Sequence, residues 1–368
     1  MTLRLTGLVL CSFLIGCGGT APFGEDATED TGGADPGGDT GGDEGVVREG
    51  LPPGTASPSP SARIVRTEPR GDGATLGNGF ATDVVYQGPT AEDPTRDRFL
   101  VDGLAFDGGN VYGRGVAVGS LNDGAFAVYE ADGQYPDSVN GQPITQGTHR
   151  AIYGVSRNRD ADGTPASEFA IVRTGAYRGY GFGGFVYQRN GDVTLPDSGQ
   201  AVFSGRSAGV RDFDGRAGLE YTTANVDVAI DFNDFNPANG VRGDAVRGSL
   251  SNRRVYDIDG RDITAAVVGR INAESNASLS RLPDAQFKVG PGVMDSNGEA
   301  VGAIDSTFVD DTGAVQVYED GTYYAIVSGD DPNEIVGVVV MENGAEFDDA
   351  TVRETSGFIV YRDPAPAP

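Results

Sequence analysis

The chain has 368 residues, among them 57 glycines, no tryptophan, one histidine and two cysteines, and carries a formal net charge of −27. That length allows two domains and a sizeable core, while so acidic a surface repels nucleic acid and anionic lipid headgroups and makes both poor partners; no nucleic-acid partner is expected. Cys11 and Cys17 both precede any folded segment, so the folded part has no disulfide, no cysteine nucleophile and no thiolate ligand, and no cofactor is expected.

Residues 1–16 read as a lipoprotein signal peptide. Arg4 supplies the basic start, and Leu5 to Ile15 is an apolar run too short to span a bilayer. Leu14-Ile15-Gly16-Cys17 resembles the bacterial lipobox, which implies cleavage before Cys17 and acylation, palmitate included, of its thiol and amine. Several acyl chains anchor firmly where a single chain binds marginally. Gly18, not Asp, follows Cys17; by resemblance to the sorting rules of enteric bacteria this implies the outer membrane.

Residues 17–62 read as an acidic Gly/Pro/Ser-rich linker. It contains the run Asp35 to Gly45 and the segment Ser57-Pro58-Ser59-Pro60-Ser61. Such composition buries too little surface to order itself, so a disordered tether is expected. Fully extended it reaches roughly 100 Å or more.

Residues 63–198 alternate short apolar runs with turns, and a first β lobe is expected there. Phe80, Thr82, Val84 and Tyr86 alternate. Arg98 to Asp107 reads as a strand bent at Gly103, and Ala125 to Glu130 as a strand before Asp132-Gly133. Ser167 to Arg173 and Gly183 to Arg189 follow, the latter as the closing strand of the lobe. The polar connection Asp192 to Gln200 marks the boundary.

Residues 199–362 form the second lobe, with 363–368 as a tail. Val226, Val228, Ile230 and Phe232 alternate with Asp227 and Asp231, the pattern of an antiparallel strand with one wet face. Ile263 to Ser280 suits either a short helix, through Ile263, Val267 and Ile271, or two weak strands. Asn297-Gly298 reads as a turn before the strand Ala300 to Ile304. A meander then runs from Val315. Asp320-Gly321 is expected to turn one hairpin, Gly329 to Glu334 the next, and Ile335 to Val340 is a strand rich in β-branched residues. Such a meander must bury a face, and a barrel or sandwich achieves that.

Thr322-Tyr323-Tyr324, an acidic turn, Glu334-Ile335-Val336-Gly337-Val338-Val339 and the closing Ser356 to Arg362 together resemble the C-terminal barrel of the transferrin-binding protein B-like surface lipoproteins. Ala325-Ile326 stands where that family has Gly-Pro. The resemblance covers roughly Asp83 to Arg362. It implies an all-β fold: an irregular β handle-like domain over 63–198, then an eight-stranded antiparallel barrel over 199–362. It also implies capture of a protein or solute ligand by surface loops, with an outer-membrane transporter or translocator as a further partner.

Other motifs point to no chemistry. His149 is the lone histidine and reads as a surface residue, with no nucleophile-elbow pattern for a triad. Gly179 to Gly184 has dinucleotide-type glycine spacing, but a strand follows where a helix N-terminus is required. Asp160-Ala161-Asp162-Gly163, Asp212-Phe213-Asp214-Gly215 and Asp257-Ile258-Asp259-Gly260 lack the spacing of a calcium loop and read as turns. Acidic residues are too many for any pair to mark a hydrolase. Tyr177, Tyr180, Phe182, Tyr323 and Tyr324 lie near glycines and are the candidate ligand-facing aromatics, since Tyr gives large contact area at low entropy cost; packing inside the lobes is the alternative. The expected protein is thus a non-enzymatic, lipid-anchored binding protein of the outer membrane, with a structural envelope lipoprotein lacking a specific ligand as the alternative.

Overall fold

The computed structural model describes residues 51–69, 83–88, 97–102, 110–131, 134–136, 143–145, 149–175, 180, 183–232, 235–236, 241–242, 245–288, 293–347 and 350–362. The expected signal peptide, Cys17 and most of the linker lie outside these residues, as do Tyr177, Phe182 and the tail.

The first lobe runs β1 (Ile64–Thr67), β2 (Asp83–Gln87), β3 (Arg98–Asp102), β4 (Asn110–Arg114), β5 (Ser120–Leu121), β6 (Phe126–Ala131), β7 (Gln134–Pro136), β8 (Pro143–Thr145), β9 (His149–Val155), β10 (Ser167–Thr174) and β11 (Gly183–Arg189). Its main sheet has the order β1-β11-β10-β9-β6-β4-β3-β2, with β5 beside β6 and a separate β7–β8 ribbon. β11, expected to close the lobe, lies inside the sheet between β10 and β1. The second lobe runs β12 (Gln200–Asp214), β13 (Glu220–Asp231), β14 (Phe235–Asn236), β15 (Val241–Arg242), β16 (Ala245–Tyr256), helix α1 (Thr264–Ser275), β17 (Ala285–Phe287), β18 (Glu299–Val309), β19 (Val315–Ser328), β20 (Glu334–Asn343) and β21 (Thr351–Arg362). Strands β12, β13 and β16 to β21 close into an antiparallel barrel, β21 returning to β12, while β14 and β15 form a side ribbon. The fold is all-β: a sheet lobe followed by an eight-stranded barrel.

Strand alternation fills the barrel. Val226, Val228 and Ile230 of β13 point inward and are at most 3% exposed, while Asp227 is exposed. They join Phe203, Phe287, Tyr323 and Phe358 in an apolar plug. Towards the other mouth the same inward rows carry charge: Arg253 meets Glu319 at 2.6 Å and Glu354 at 2.9 Å, and Arg211 meets Glu220 at 2.6 Å. Helix α1 resolves the ambiguity over 263–280, and packs Val267, Val268 and Ile271 against Val255, Phe308, Tyr318 and Phe347.

The sheet covers one wall of the barrel. Phe126, Val128, Ile152, Phe169, Ile171 and Phe185 meet Val210, Tyr324, Ile326, Val336, Val338 and Ile359 in one buried cluster. This is why Ile335 to Val340 reads as an unbroken apolar run: one face of β20 fills the barrel and the other meets the sheet. Buried ions sit at the rim of this contact. Arg173 lies 2.8 Å from Glu68, and Arg353 lies 2.6 Å from Asp212. Glu334 accepts from the Ser156, Asn158 and Ser167 side chains at 2.5–2.6 Å.

Four sequence expectations are corrected. Asp320-Gly321 makes no turn: both lie within β19, opposite Glu342 and Met341. Gly321 permits close approach, since a Cβ there would lie 1.9 Å from the Val340 carbonyl oxygen. The hairpin turns instead over Asp310 to Ala314, with Gly313 at φ 88°. Asp160, Asp257, Asp295 and Asp310 share one device, Oδ1 accepting from the amides two and four residues on. This accounts for two of the three calcium-like runs; in the third, Asp212 sits in β12 and pairs with Arg353. His149 is not at the surface but 1% exposed, its Nδ1 3.2 Å from the Tyr112 hydroxyl. Residues 51–62, within the expected linker, lie along the sheet lobe: Thr67 N donates to Pro53 O at 2.9 Å and Val193 N to Pro60 O at 2.8 Å. The separation of Pro residues by small polar ones hid this docking, which uses strand β1 nearby in the chain and Val193 more than a hundred residues on.

Candidate functional site

In the sheet order β2 lies four strand steps from β9, on the order of 19 Å in a flat sheet. Yet Tyr86 of β2 and Tyr153 of β9 stack with ring centroids 5.5 Å apart and planes 12° from parallel. The sheet is therefore rolled. The seam between β4 and β6 lets it bend, because those strands share just the pairs Gly113↔Glu130 and Arg114↔Tyr129. On the face away from the barrel the roll encloses a trough of ≈ 670 Å³, within the size range of small-ligand sites.

Register explains its shape. Tyr153 is paired laterally with Ala127 on one side and Ala170 on the other. Ala170 in turn pairs with Val186. Small residues flanking a large ring leave open space beside it. The next row holds Val155, Glu168, Gln188 and Val65, also laterally paired. Two exposed arginines, Arg63 and Arg159, adjoin that row.

Two polar chains brace the walls. In one, the Tyr153 hydroxyl donates to Glu168 Oε2 at 2.5 Å, Gln188 Nε2 donates to Glu168 Oε1 at 2.5 Å, and Arg63 Nη2 donates to Gln188 Oε1 at 2.8 Å. In the other, the Tyr129 hydroxyl donates to Asp97 Oδ2 at 2.6 Å and Arg114 Nη2 to the same oxygen at 2.8 Å, while the Arg114 guanidinium lies 4.9 Å over the Tyr129 ring. Burial pushes the Asp97 carboxyl up, but the Tyr129 hydroxyl and Arg114 outweigh it and hold the group below its ordinary range. Burial first, then the adjoining carboxylates, push the Tyr153 and Tyr129 phenols well up, so both stay protonated donors. Side chains fixed by such partners present a pre-arranged surface.

The aromatics singled out in the sequence do not build this site. Tyr177 and Phe182 fall outside the described residues. Tyr180 is half-buried, its ring 4.3 Å from the Arg353 guanidinium beside the ions between sheet and barrel. Tyr323 and Tyr324 are not ligand-facing. They are neighbours on one continuous strand, so one points each way, and both sides are covered. Tyr323 stacks on Phe287 inside the barrel, with centroids 4.1 Å apart, and Tyr324 meets Phe185 of the sheet at 5.8 Å. The trough residues Tyr86 and Tyr129 belong to strands legible in the sequence, but their meeting with Tyr153, Asp97 and Arg114 depends on the roll, for which no local signal exists.

No protein-family model and no curated protein matches the chain. Similar solved structures include a variant of Transferrin Binding Protein B from Haemophilus parasuis Hp5, at 9% identity and TM-score 0.32, with 83% of this chain covering 59% of that one. Intact Ap-TbpB, with N and C lobes, is 10% identical at TM-score 0.30, covered over 61% of its length by 83% of this chain. Ail, the attachment invasion locus protein of Yersinia pestis, is 11% identical at TM-score 0.15 and matches 46% of this chain over 100% of its own. The chain spans about three fifths of the length of the two TbpB structures.

Proposed function

We propose that this chain is a lipid-anchored surface protein of the bacterial outer membrane that holds a ligand in the trough of its rolled sheet. The observation that carries the reading is the trough itself: ≈ 670 Å³, floored by small side chains and walled by tyrosines whose hydroxyls are already engaged. A site braced before its ligand arrives loses little ordering entropy on binding. Binding is favoured over turnover because Asp97 is held below the carboxylate range, away from the near-neutral poise of a general acid. The lipobox at Cys17 and the acidic run after it support the anchor and the tether. A membrane transporter or translocator fits as a further partner of a protein so placed.

Native mass spectrometry of the full chain, purified in detergent from its own host, tests this. The chain should begin at an acylated Cys17 and carry a second, non-covalent mass. Ala127→Trp, which fills the trough floor beside Tyr153, should expel that mass. An unacylated Cys17 would remove the anchor. The absence of any mass that Ala127→Trp displaces would remove the site.

A further inference from the structure

We infer that the trough takes an acidic saccharide, a sugar ring lying against the Tyr86–Tyr153 pair with its carboxylate towards Arg63 and Arg159; this rests on the trough being the ligand site. The charge of the lining runs against that of the molecule. Three arginines and two carboxylates line the trough, a local excess of positive charge in a chain of net charge −27. Arg114 is matched by Asp97 at 2.8 Å. Glu168 is met by neutral donors, the Tyr153 hydroxyl and the Gln188 and Asn190 amides.

Arg63 and Arg159 have no such match. Arg63 gives Nη2 to the Gln188 side-chain oxygen, and Arg159 gives Nη1 to the Gly163 carbonyl, both at 2.8 Å. Among the described residues neither has an ion-pair partner, although the chain has 54 acidic residues against 27 basic ones. Both stand at one end. Arg63 adjoins Gln188. Arg159 bridges to Pro165, whose carbonyl accepts from Asn190 at 2.8 Å. Guanidinium donors in a fork suit a planar carboxylate.

The rest of the lining selects a sugar over an aromatic acid. Tyr86 is 42% exposed and offers a flat apolar face. Glu168 accepts three of the roughly four bonds an ionised carboxylate can take, which leaves room for a hydroxyl donor. A polyhydroxylated ring supplies such donors, and an arene does not.

Calorimetry on the full chain in detergent, with trigalacturonate and with the same trisaccharide after reduction of its carboxyls, tests the inference. The acid should bind, and the reduced sugar should bind at least about tenfold more weakly. Arg159→Gln, outside both bracing chains, should weaken the acid about fivefold and leave the reduced sugar unchanged, while Arg63→Gln, which also frees Gln188, should weaken the acid more than the reduced sugar. Equal affinity for the two sugars, arginine variants indistinguishable from wild type, or no uptake of the acid overturns the inference. A different mass retained by the wild-type chain and expelled by Ala127→Trp would then keep the trough as the site while removing the sugar.

Discussion

Arg66, on the edge strand β1, closes a fork on Glu299, the first residue of barrel strand β18 and 233 residues further along the chain. Nε lies 2.6 Å from Oε1 and Nη2 lies 2.8 Å from Oε2, with side-chain exposures of 7% and 0%. Nη1 of the same guanidinium donates to the carbonyls of Pro52 and Thr55 at 3.3 and 3.2 Å. One side chain therefore ties the segment Pro52 to Thr55, the sheet edge and the barrel together.

Removing one partner should hurt far more than removing both. Glu299→Gln leaves a buried, unmatched guanidinium and should lower unfolding free energy by about 3–5 kcal/mol. Arg66→Met with Glu299→Leu should recover most of that loss, because neither charge is then desolvated. Urea denaturation of the three proteins checks this; a double variant as weak as the single would mean the pair is not an isolated buried couple.

Phe169 is the wedge of the sheet–barrel contact. Its ring lies over Gly357 of β21, where a Cβ would stand 2.2 Å from Cε2, and beside Gly154, where one would stand 2.2 Å from Cε1. Phe169→Ala should cost about 3–5 kcal/mol through the cavity it leaves. Gly357→Ala should cost about 1–3 kcal/mol through overpacking, and the two changes together should be less than additive. Thermal melts of the set decide it, and strict additivity would disconnect the residues.

His149 predicts an acid weakness. Burial, then the Arg150 charge, push its imidazole down to about 4, against about 6.5 in an unfolded chain. Between those values the unfolded state binds more protons. Stability is whole above pH 6.5 and falls as pH drops towards 4, by on the order of 3 kcal/mol. As the single histidine, its titration is readable by NMR. In His149→Gln this segment of the pH–stability curve should flatten; an imidazole titrating near 6.5 in the folded protein would refute the buried placement.

Gly313 isolates a backbone effect. Its φ is 88°, and nothing lies within 4 Å of a Cβ built there. Gly313→Ala should destabilise by about 1–2 kcal/mol through left-handed strain alone, while Gly313→Asn should lose less, Asn being tolerant of that region. Chemical denaturation distinguishes them, and equal losses would point to a side-chain clash.

Legibility followed the range of the forces involved. Val226 to Phe232 was readable because alternation is local: each residue's face is set by the pleat. The turn at Asn297-Gly298 was readable for the same reason, with Gly298 at φ 78°. Asp320-Gly321 misled because a glycine admits a turn and a close approach equally, and Val340 on the partner strand decided between them. Tyr323 and Tyr324 misled because adjacency to glycine suggested a loop, while both faces of their strand were covered by other parts of the fold.

By itself the sequence determined an all-β chain of short alternating strands and a strongly acidic composition, since composition, pleat and charge act over a few residues. Tertiary structure alone decided which wall of the barrel is dry, that Arg66 meets Glu299, and that the sheet rolls until Tyr86 reaches Tyr153. Those outcomes arise from contacts between segments tens to hundreds of residues apart, and no local pattern encodes the curl that creates the trough.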